Sequence, residues 1–330
     1  MQARTWSDLD AIDKGALVDA EGRAFKDYKR ELRPRYAIVW RDILMGHVAL
    51  VGIVVAVVIA DRRSFALSTV AVAVGALGIG FVLAYIQLFF HEAAHFNISP
   101  GRRANDALAN AFIGVFVGQD IAAYRAIHFD HHRHLGTPQD TERTYFEALD
   151  ARFVLESLTG IKILKVLMGR QRAARIDDGA SEASSAKKKS LFNKQLVLGA
   201  SLHALIVGAA IWRGAWALVA AWLIGVGVVF PFFAAVRQVL EHRDAAARKD
   251  VDYRAVAHGP YTRLFATGPL ARALGGAGFE RHLLHHWEPQ ISYTQLAALE
   301  QYLERTPAGS LLRQHRTTYL ATFVTLMRAK

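Results

Sequence analysis

The sequence predicts an all-α integral membrane protein, in which four transmembrane helices and interfacial helices carry a cytosolic helical cap with a histidine-rich di-metal site. Hydrophobic residues make up 52% of the chain although 21% of it is charged, so the apolar residues must be segregated in blocks. Long uncharged blocks are typical of helices that cross a bilayer. More than half of the 14 histidines fall in three short motifs, and these motifs predict the metal site.

Four apolar blocks are each long enough to cross a hydrocarbon core of about 30 Å as a helix. Pro231 lies inside the last block, where the missing backbone donor predicts a kink. A further apolar block at 107–118 is too short to cross, and we expect it to be re-entrant or interfacial. A crossing there would place His91 and His128 on opposite sides of the membrane. The four predicted spans are 43–60, 65–90, 196–212 and 215–236.

The charge pattern predicts the orientation of the chain. The net charge of +11 suits either nucleic acid or the anionic face of a membrane. Because the chain also contains long apolar blocks, we expect its partner to be membrane lipids and not nucleic acid. Most basic residues that flank the spans lie on the side of the two termini, whereas Arg62, Arg63 and Arg213 flank the other side. The positive-inside rule therefore predicts a multi-pass protein with both termini cytoplasmic, and we expect a bacterial inner membrane.

The expected organisation is one membrane-embedded domain with cytosolic extensions. The N-terminal segment lacks the short apolar core and cleavage site of a signal peptide. The stretch 169–193 is rich in charge, Ala and Ser, which predicts a surface loop or partial disorder. The predicted divisions are a cytosolic segment 1–42, a catalytic domain 43–242 and 243–296 with a cytosolic insert 91–195, and a helical tail 297–330.

The candidate metal site starts from the stretch AIHFDHHRHLG, which places His128, His131 and His132 at i, i+3 and i+4. On a helix, three rings at this spacing project from one face. Neutral imidazole is the commonest protein ligand for transition metals and is rarely a core residue. RHLLHHWEP repeats the spacing, FFHEAAHF adds a pair at i, i+4, and a solvated surface rarely repeats one register in this way. These two motifs contribute His282, His285, His286, His91 and His95.

A ninth candidate ligand, His242, follows the fourth apolar block on the same expected side as the other eight. Nine imidazoles are too many for one tetrahedral zinc, and they suit two metals with open positions for oxygen or water. Carboxylates near the motifs are candidates for orienting the ligating rings. The possible supporting residues around the ligands are Asp130, His134, Asp140, Glu142 and Glu241.

We expect the remaining histidines to have structural roles rather than to bind the metal. His47 and His203 lie inside apolar blocks, where an interhelical hydrogen bond is the expected role. His258 and His315 belong to no motif, and we expect them at the surface.

Together these motifs resemble the three histidine boxes of the membrane fatty acid desaturase and hydroxylase superfamily. The resemblance covers about residues 90–296, and HEAAHFNI with HFDHHRHLG is similar to the acyl-lipid and sphingolipid desaturase branch. HHWEPQISYTQL resembles the third box, with Pro289 three residues after the paired histidines. The triple motif in this membrane topology is specific, whereas no single box would be.

The resemblance implies a non-haem di-iron centre of two Fe at the cytosolic membrane surface, held largely by the nine histidines and using O₂ as co-substrate. It also implies an acyl-lipid substrate that enters from the bilayer, with desaturation favoured over hydroxylation of an acyl chain or another apolar substrate. The chain has no Cys, which excludes a cysteine-ligated iron–sulfur cluster. Because no haem or flavin motif is evident, we expect an external electron donor, a ferredoxin or a cytochrome-like protein.

Two other functions remain open from the sequence. The run from His91 to His95 also satisfies His-Glu-x-x-His, the motif of zinc metalloproteases in which the glutamate, here Glu92, is the general base. That interpretation uses two of the nine histidines and leaves both His-x-x-His-His motifs without a role. A metal transporter would need ligands near the bilayer midplane, whereas these motifs lie at the ends of spans.

Overall fold

Helices make up most of the fold. The computed structural model describes residues 9–162 and 182–329, with side chains from residue 194 onward in the second range. The helices of the first range are α1 Phe25–Glu31, α2 Tyr36–Asp61, α3 Phe65–Ala94, α4 Arg102–Ala109, α5 Val115–Val117, α6 Ile121–His134 and α7 Ala151–Leu158. The helices of the second range are α8 Glu182–Trp212, α9 Trp216–Ile224, α10 Phe230–His242, α11 Pro269–Leu274, α12 His282–Trp287, α13 Tyr293–Glu304, α14 Ala308–Gln314 and α15 Tyr319–Arg328.

Shorter elements connect these helices. Two parallel strands of two residues pair Leu264 with Arg316 and Phe265 with Thr317. The short elements are π-helical segments Asn110–Gly114 and Gly225–Val229, 3₁₀ helices Arg143–Phe146 and Gly276–Arg281, and strands β1 Leu264–Phe265 and β2 Arg316–Thr317.

Within the described part of the chain, four helices are long and apolar enough to cross a membrane. They are α2, α3, the part of α8 at Lys194–Trp212, and Trp216–His242, which joins α9 to α10. The predicted all-α membrane fold is therefore confirmed. The spanning helices are longer than the predicted apolar blocks, and at their C-terminal ends α3 reaches Ala94 and α10 reaches His242. As a result, His91 and His242 lie on the spanning helices themselves rather than in the segments after them.

Helix α3 lies at the centre of the bundle, between α2 and α9. Its buried face packs closely because a Cβ added at Gly80 would lie 2.4 Å from Val229 Cβ and 2.7 Å from Gly225 O. The outer faces of the bundle are apolar and open, as at Val48 of α2, which is 71% exposed. A continuous apolar outer surface of this kind indicates contact with lipid.

The last span is interrupted next to Pro231. Residues Gly225–Val229 form a π-helical segment, and Pro231 lies in the first turn of α10 directly after it. Because Pro231 has no N–H and its ring crowds the carbonyl four residues earlier, the preceding turn widens. The irregularity predicted at Pro231 therefore takes the form of a widened turn.

The short apolar block 107–118 does not cross the bundle as a straight helix. The segment Arg102–Val117 ends at Gly118, which has a φ of +61°, and the chain bends by 84° into α6. Asp120 caps α6 by accepting hydrogen bonds from the N–H groups of Ala122 (2.8 Å) and Ala123 (3.2 Å). The bend directs α6 back to the end of the bundle at which α3 ends, as expected for a re-entrant or interfacial segment.

The stretch 169–193, predicted as a loop, is helical in its second part. Residues 169–181 lie outside the described residues, and α8 begins at Glu182. The helix that contains the third span therefore starts well before the apolar block, since charged residues and Ala are good helix formers.

The N-terminal segment and the C-terminal tail pack together over α12. Trp287 donates a hydrogen bond from Nε1 to the carbonyl of Leu9 (3.1 Å), and Lys29 forms an ion pair with Glu288 at 2.6 Å. Helix α13 runs through residue 296, where the predicted domain ends. These segments share one apolar cluster with Leu283, Leu284 and Trp287, and they therefore form a cap over the helix of the third histidine motif.

The two histidines inside apolar blocks form the predicted interhelical hydrogen bonds. His47 Nε2 lies 3.0 Å from the carbonyl oxygen of Phe112. His203 Nε2 lies 3.0 Å from the carbonyl oxygen of Phe116, and its Nδ1 accepts a hydrogen bond from Trp222 at 3.2 Å.

Candidate metal centre

All nine candidate histidines meet at one end of the helical bundle. They come from the end of α3, from α6, from the end of α10 and from α12. The re-entrant bend before α6 brings the first two motifs together, and the rings of His91 and His128 lie 4.4 Å apart between centroids.

The ligand atoms divide into two groups. We call the first histidine group the set His91, His95, His128, His132 and His285, whose ligand atoms all lie within 4.8 Å of one another. Two smaller sets share His242, one with His131 and His286 and the other with Glu241 and His282. We call the second histidine group the set His131, His242, His282 and His286.

The spacing within each motif explains this division. In α6, the i and i+4 rings of His128 and His132 join the first group, while His131 joins the second. In α12, His285 joins the first group, while the i and i+4 rings of His282 and His286 join the second. Adjacent helical residues point about 100° apart, so the paired histidines of each motif serve different groups. Each His-x-x-His-His motif therefore contributes side chains to both groups, each of which could hold a metal ion.

Within the groups, the Nε2 atoms face one another at short distances. In the first group the Nε2 atoms of His95 and His132 lie 2.9 and 3.0 Å from that of His128. In the second group the Nε2 atoms of His242 and His286 lie 3.0 and 3.2 Å from that of His282. A neutral Nε2 either carries one hydrogen or presents one lone pair, so three Nε2 atoms that face one another cannot all be paired by hydrogen bonds. Nε2 lone pairs that converge in this way are suited to binding a cation.

Unpaired buried nitrogens also fit a metal site. Among the described residues, both ring nitrogens of His91 are buried without a hydrogen-bond partner. An unpaired buried polar atom is costly unless a ligand or ion satisfies it. The donor set of neutral imidazoles, with carboxylates behind them, suits iron as well as zinc.

The protonation of the rings favours metal binding. Burial lowers the pKa of His95 to about 3, so this imidazole is neutral near pH 7, which is the form that binds a metal. The pKa of His131 is raised instead. Burial lowers this pKa, but the carboxylates of Glu142 and Asp140 together raise it by more. Burial also lowers the pKa values of His128, His132, His282, His285 and His286.

Two predicted supporting carboxylates lie behind the rings. The two oxygens of Asp140 lie 2.8 and 3.0 Å from Nδ1 of His131. Glu142 Oε1 lies 3.3 Å from Nδ1 of His128, and its other oxygen accepts a hydrogen bond from Gln238 at 2.7 Å. A partner on Nδ1 fixes the ring orientation and leaves Nε2 facing the centre.

The other predicted supporting residues have different positions. Asp130, whose side chain is 47% exposed, forms an ion pair with Arg133 at 3.0 Å. His134 is half-buried at the end of α6 and belongs to neither group. Glu241 is buried and lies 3.9 Å from Nε2 of His282. The structure thus places Asp140 and Glu142 against histidines of the groups, brings Glu241 close to one, and directs Asp130 away.

Several site residues are absent from the sequence-based prediction. Gln238 lies one helical turn before His242 and holds Glu142, so the i, i+4 spacing on α10 was a signal that could have identified it. Tyr145 donates a hydrogen bond to Asp140. The ring of Phe279 stacks on that of His282, with centroids 4.8 Å apart. Both of these contacts are short-range in the sequence, but neither belongs to a histidine or carboxylate motif.

The surface prediction for His258 is wrong. His258 is 2% exposed and packs against the rings of Tyr253 (5.0 Å) and Tyr145 (5.3 Å). Its Nε2 accepts a hydrogen bond from the N–H of Asp244 at 3.3 Å, so this buried ring nitrogen has a hydrogen-bond partner. His315 is half-buried at the end of α14 rather than fully exposed.

Glu92, the general base of the protease alternative, does not join any of the metal-binding sets. Its carboxylate is buried and accepts a hydrogen bond from the backbone N–H of Tyr293 at 3.2 Å. This contact ties α3 to the start of α13. The geometry therefore gives Glu92 a bracing role and offers no support for a zinc protease site.

Comparison with protein families gives a match over most of the chain. The model of the family described as "Fatty acid desaturase" matches residues 67–318. The matched region contains all nine candidate histidines. A search of the curated proteins finds no match.

Proposed function

The chain belongs to the fatty acid desaturase family, and from this we propose that it is an O₂-dependent di-iron desaturase that introduces a double bond into the acyl chain of a lipid. The observation that supports the proposal is the division of nine histidines from four helices into two metal-binding groups at one end of a membrane bundle. Family membership supports the broader statement that the chain is an oxidoreductase of the desaturase and hydroxylase type.

We assign the nine histidines as the iron ligands, one group to each iron. When bound, the two irons supply the oxidising power that removal of hydrogen from an unactivated methylene requires, using O₂. The chain contributes neutral imidazoles, held in that state by burial. Asp140 and Glu142 orient two of the rings, and the buried position of the groups excludes bulk water.

The substrate is expected to reach the site from the bilayer. Both groups lie where spanning helices end, since α3 carries His91 and α10 carries His242. An acyl chain that remains partly in the hydrocarbon core can therefore approach the site without crossing water. We propose that this end of the bundle and both termini face the cytoplasm, in a bacterial inner membrane, as the distribution of basic residues suggests.

The electrons are proposed to come from a separate protein, a ferredoxin or a cytochrome-like donor. The chain has no Cys to hold an iron–sulfur cluster of its own. Purified iron-loaded protein should therefore be inactive with NAD(P)H alone and become active when a reductase and donor are added. Full turnover with NAD(P)H and no added protein would contradict this part of the proposal.

Lipid analysis tests the reaction. The chain and a matching reductant system are expressed in a bacterium, and the extracted lipids are compared by mass spectrometry with those of cells expressing His285→Ala. A new acyl species lighter by two hydrogens, present only with the unaltered chain, is the expected result. A product heavier by one oxygen would instead indicate hydroxylation, and an unchanged profile at full iron occupancy would contradict both reactions.

A further inference from the structure

Glu241 is a buried carboxylate at the end of α10, directly before His242 in the sequence. It is 2% exposed, and its Oε1 has no hydrogen-bond partner among the described residues. Its ion-pair partner is Arg237, whose Nη1 lies 3.8 Å from Oε1 and is itself buried without a hydrogen-bond partner in the described part of the chain. A buried charge without a close partner is costly, so the ion pair by itself does not account for the position of Glu241.

Glu241 approaches its histidine from the side opposite to that used by the supporting carboxylates. Asp140 and Glu142 lie against Nδ1 of their histidines, the nitrogen that faces away from the centre. Glu241 Oε2 instead lies 3.9 Å from Nε2 of His282. That nitrogen also faces Nε2 of His242 at 3.0 Å. Glu241 is therefore on the side of His282 where the ligand atoms converge.

We propose that Glu241 is a direct metal ligand, which binds the iron of the second histidine group together with His242 and His282. This inference rests on the proposed di-iron function. Two ligand atoms on one metal, with bonds of about 2.1 Å, can be at most about 4.2 Å apart. The distances of 3.9 Å from Glu241 to His282 and of 3.0 Å from His282 to His242 meet this limit. Carboxylate and imidazole together form a suitable ligand set for iron.

The assignment makes the two metal positions chemically different. The first histidine group offers five imidazoles, whereas the second offers imidazoles and one carboxylate. An anionic ligand lowers the net charge of its site by one, which changes the electronic environment of that iron. The two irons should therefore be distinguishable by spectroscopy.

The test measures iron content and coordination rather than turnover. Iron-free protein is loaded with isotopically enriched Fe²⁺ without oxygen, and bound iron and the Mössbauer spectrum are recorded for the unaltered chain and for Glu241→Gln. We expect two irons with two distinct signals in the unaltered chain. In Glu241→Gln we expect one signal to disappear and bound iron to fall from two to one in the presence of a competing chelator.

Glu92→Gln is the matched control. Glu92 is also a buried glutamate next to a candidate ligand at the end of a spanning helix, but its carboxylate contacts the backbone N–H of Tyr293. This variant should keep both signals. Arg237→Gln is the second control, because it removes the ion-pair partner of Glu241 without removing a ligand, and it should also keep both irons.

The outcomes separate this inference from the proposed function. If Glu241→Gln keeps both signals with unchanged parameters, Glu241 is not a ligand, because a carboxylate that only orients His282 would leave the coordination unaltered. Loss of the same signal in Arg237→Gln would likewise overturn the assignment. If Glu241→Gln loses both irons, the variant Glu241→Asp is measured instead. Asp has a shorter side chain, so it should alter the signal of one iron alone. An unaltered spectrum of Glu241→Asp refutes the proposal. An unaltered chain that binds no iron would instead refute the di-iron function itself.

Discussion

Replacing Asp140 with Asn should weaken iron binding in the second histidine group, because Asp140 orients His131. Asp140 is fully buried, and its oxygens lie 2.8 and 3.0 Å from His131 Nδ1. They also accept hydrogen bonds from the Tyr145 hydroxyl and from the N–H groups of Glu142 (2.8 Å) and Gly136 (3.3 Å). Asn keeps the shape of the side chain, removes the charge and turns one acceptor into a donor.

The size of the effect follows from these contacts. Loss of a partner that orients a ligating histidine lowers metal affinity by about 10- to 100-fold, which corresponds to about 1.4–2.8 kcal/mol. The new amide N–H also faces donors, and one buried donor left without an acceptor lowers the free energy of unfolding by about 1–3 kcal/mol. Iron affinity is measured by competition with a coloured chelator, and stability by thermal unfolding in detergent.

Asp130→Asn provides the matched control. Asp130 directly precedes His131 in the sequence, but it forms an exposed ion pair with Arg133. This variant should change neither iron affinity nor unfolding temperature. If Asp140→Asn and Asp130→Asn gave equal iron affinities, the role assigned to the Asp140 contact with His131 would be refuted.

Three further predictions concern the ligands, the metal and the bundle. His285→Ala should lower bound iron and abolish lipid oxidation with the spans still inserted, whereas His315→Ala should do neither; equal iron content in both would contradict the ligand assignment. Removing iron by chelation should lower the unfolding temperature, because metal binding stabilises the folded state, and an unchanged temperature would argue against a metal within the fold. Gly80→Ala should destabilise the bundle by about 1–3 kcal/mol because its Cβ would lie 2.4 Å from Val229, and Gly52→Ala, which meets nothing within 4 Å, should not; comparable unfolding temperatures would refute the close packing of α3.

The sequence by itself determined the fold class and the set of candidate ligands. Four apolar blocks specify four spanning helices because each block, as a helix, is long enough to cross the hydrocarbon core, and its apolar composition is a local property of the sequence. The spacing of His128, His131 and His132 determines that their rings share one face of α6, because helical periodicity is also local. The short block at 107–118 likewise predicted a re-entrant or interfacial segment, and the chain bends by 84° after it, at Gly118.

Tertiary structure alone decided how these parts are combined. The division of the histidines into two groups depends on the angles at which α3, α6, α10 and α12 meet, and sequence spacing does not contain these angles. The same holds for the burial of His258 among Tyr145 and Tyr253, and for the packing of Leu9 over Trp287. The histidine nitrogen that a carboxylate faces, Nδ1 of His131 for Asp140 but Nε2 of His282 for Glu241, also depends on packing rather than on helix spacing. Local patterns fix which residues share a helix face, whereas long-range packing fixes what that face meets.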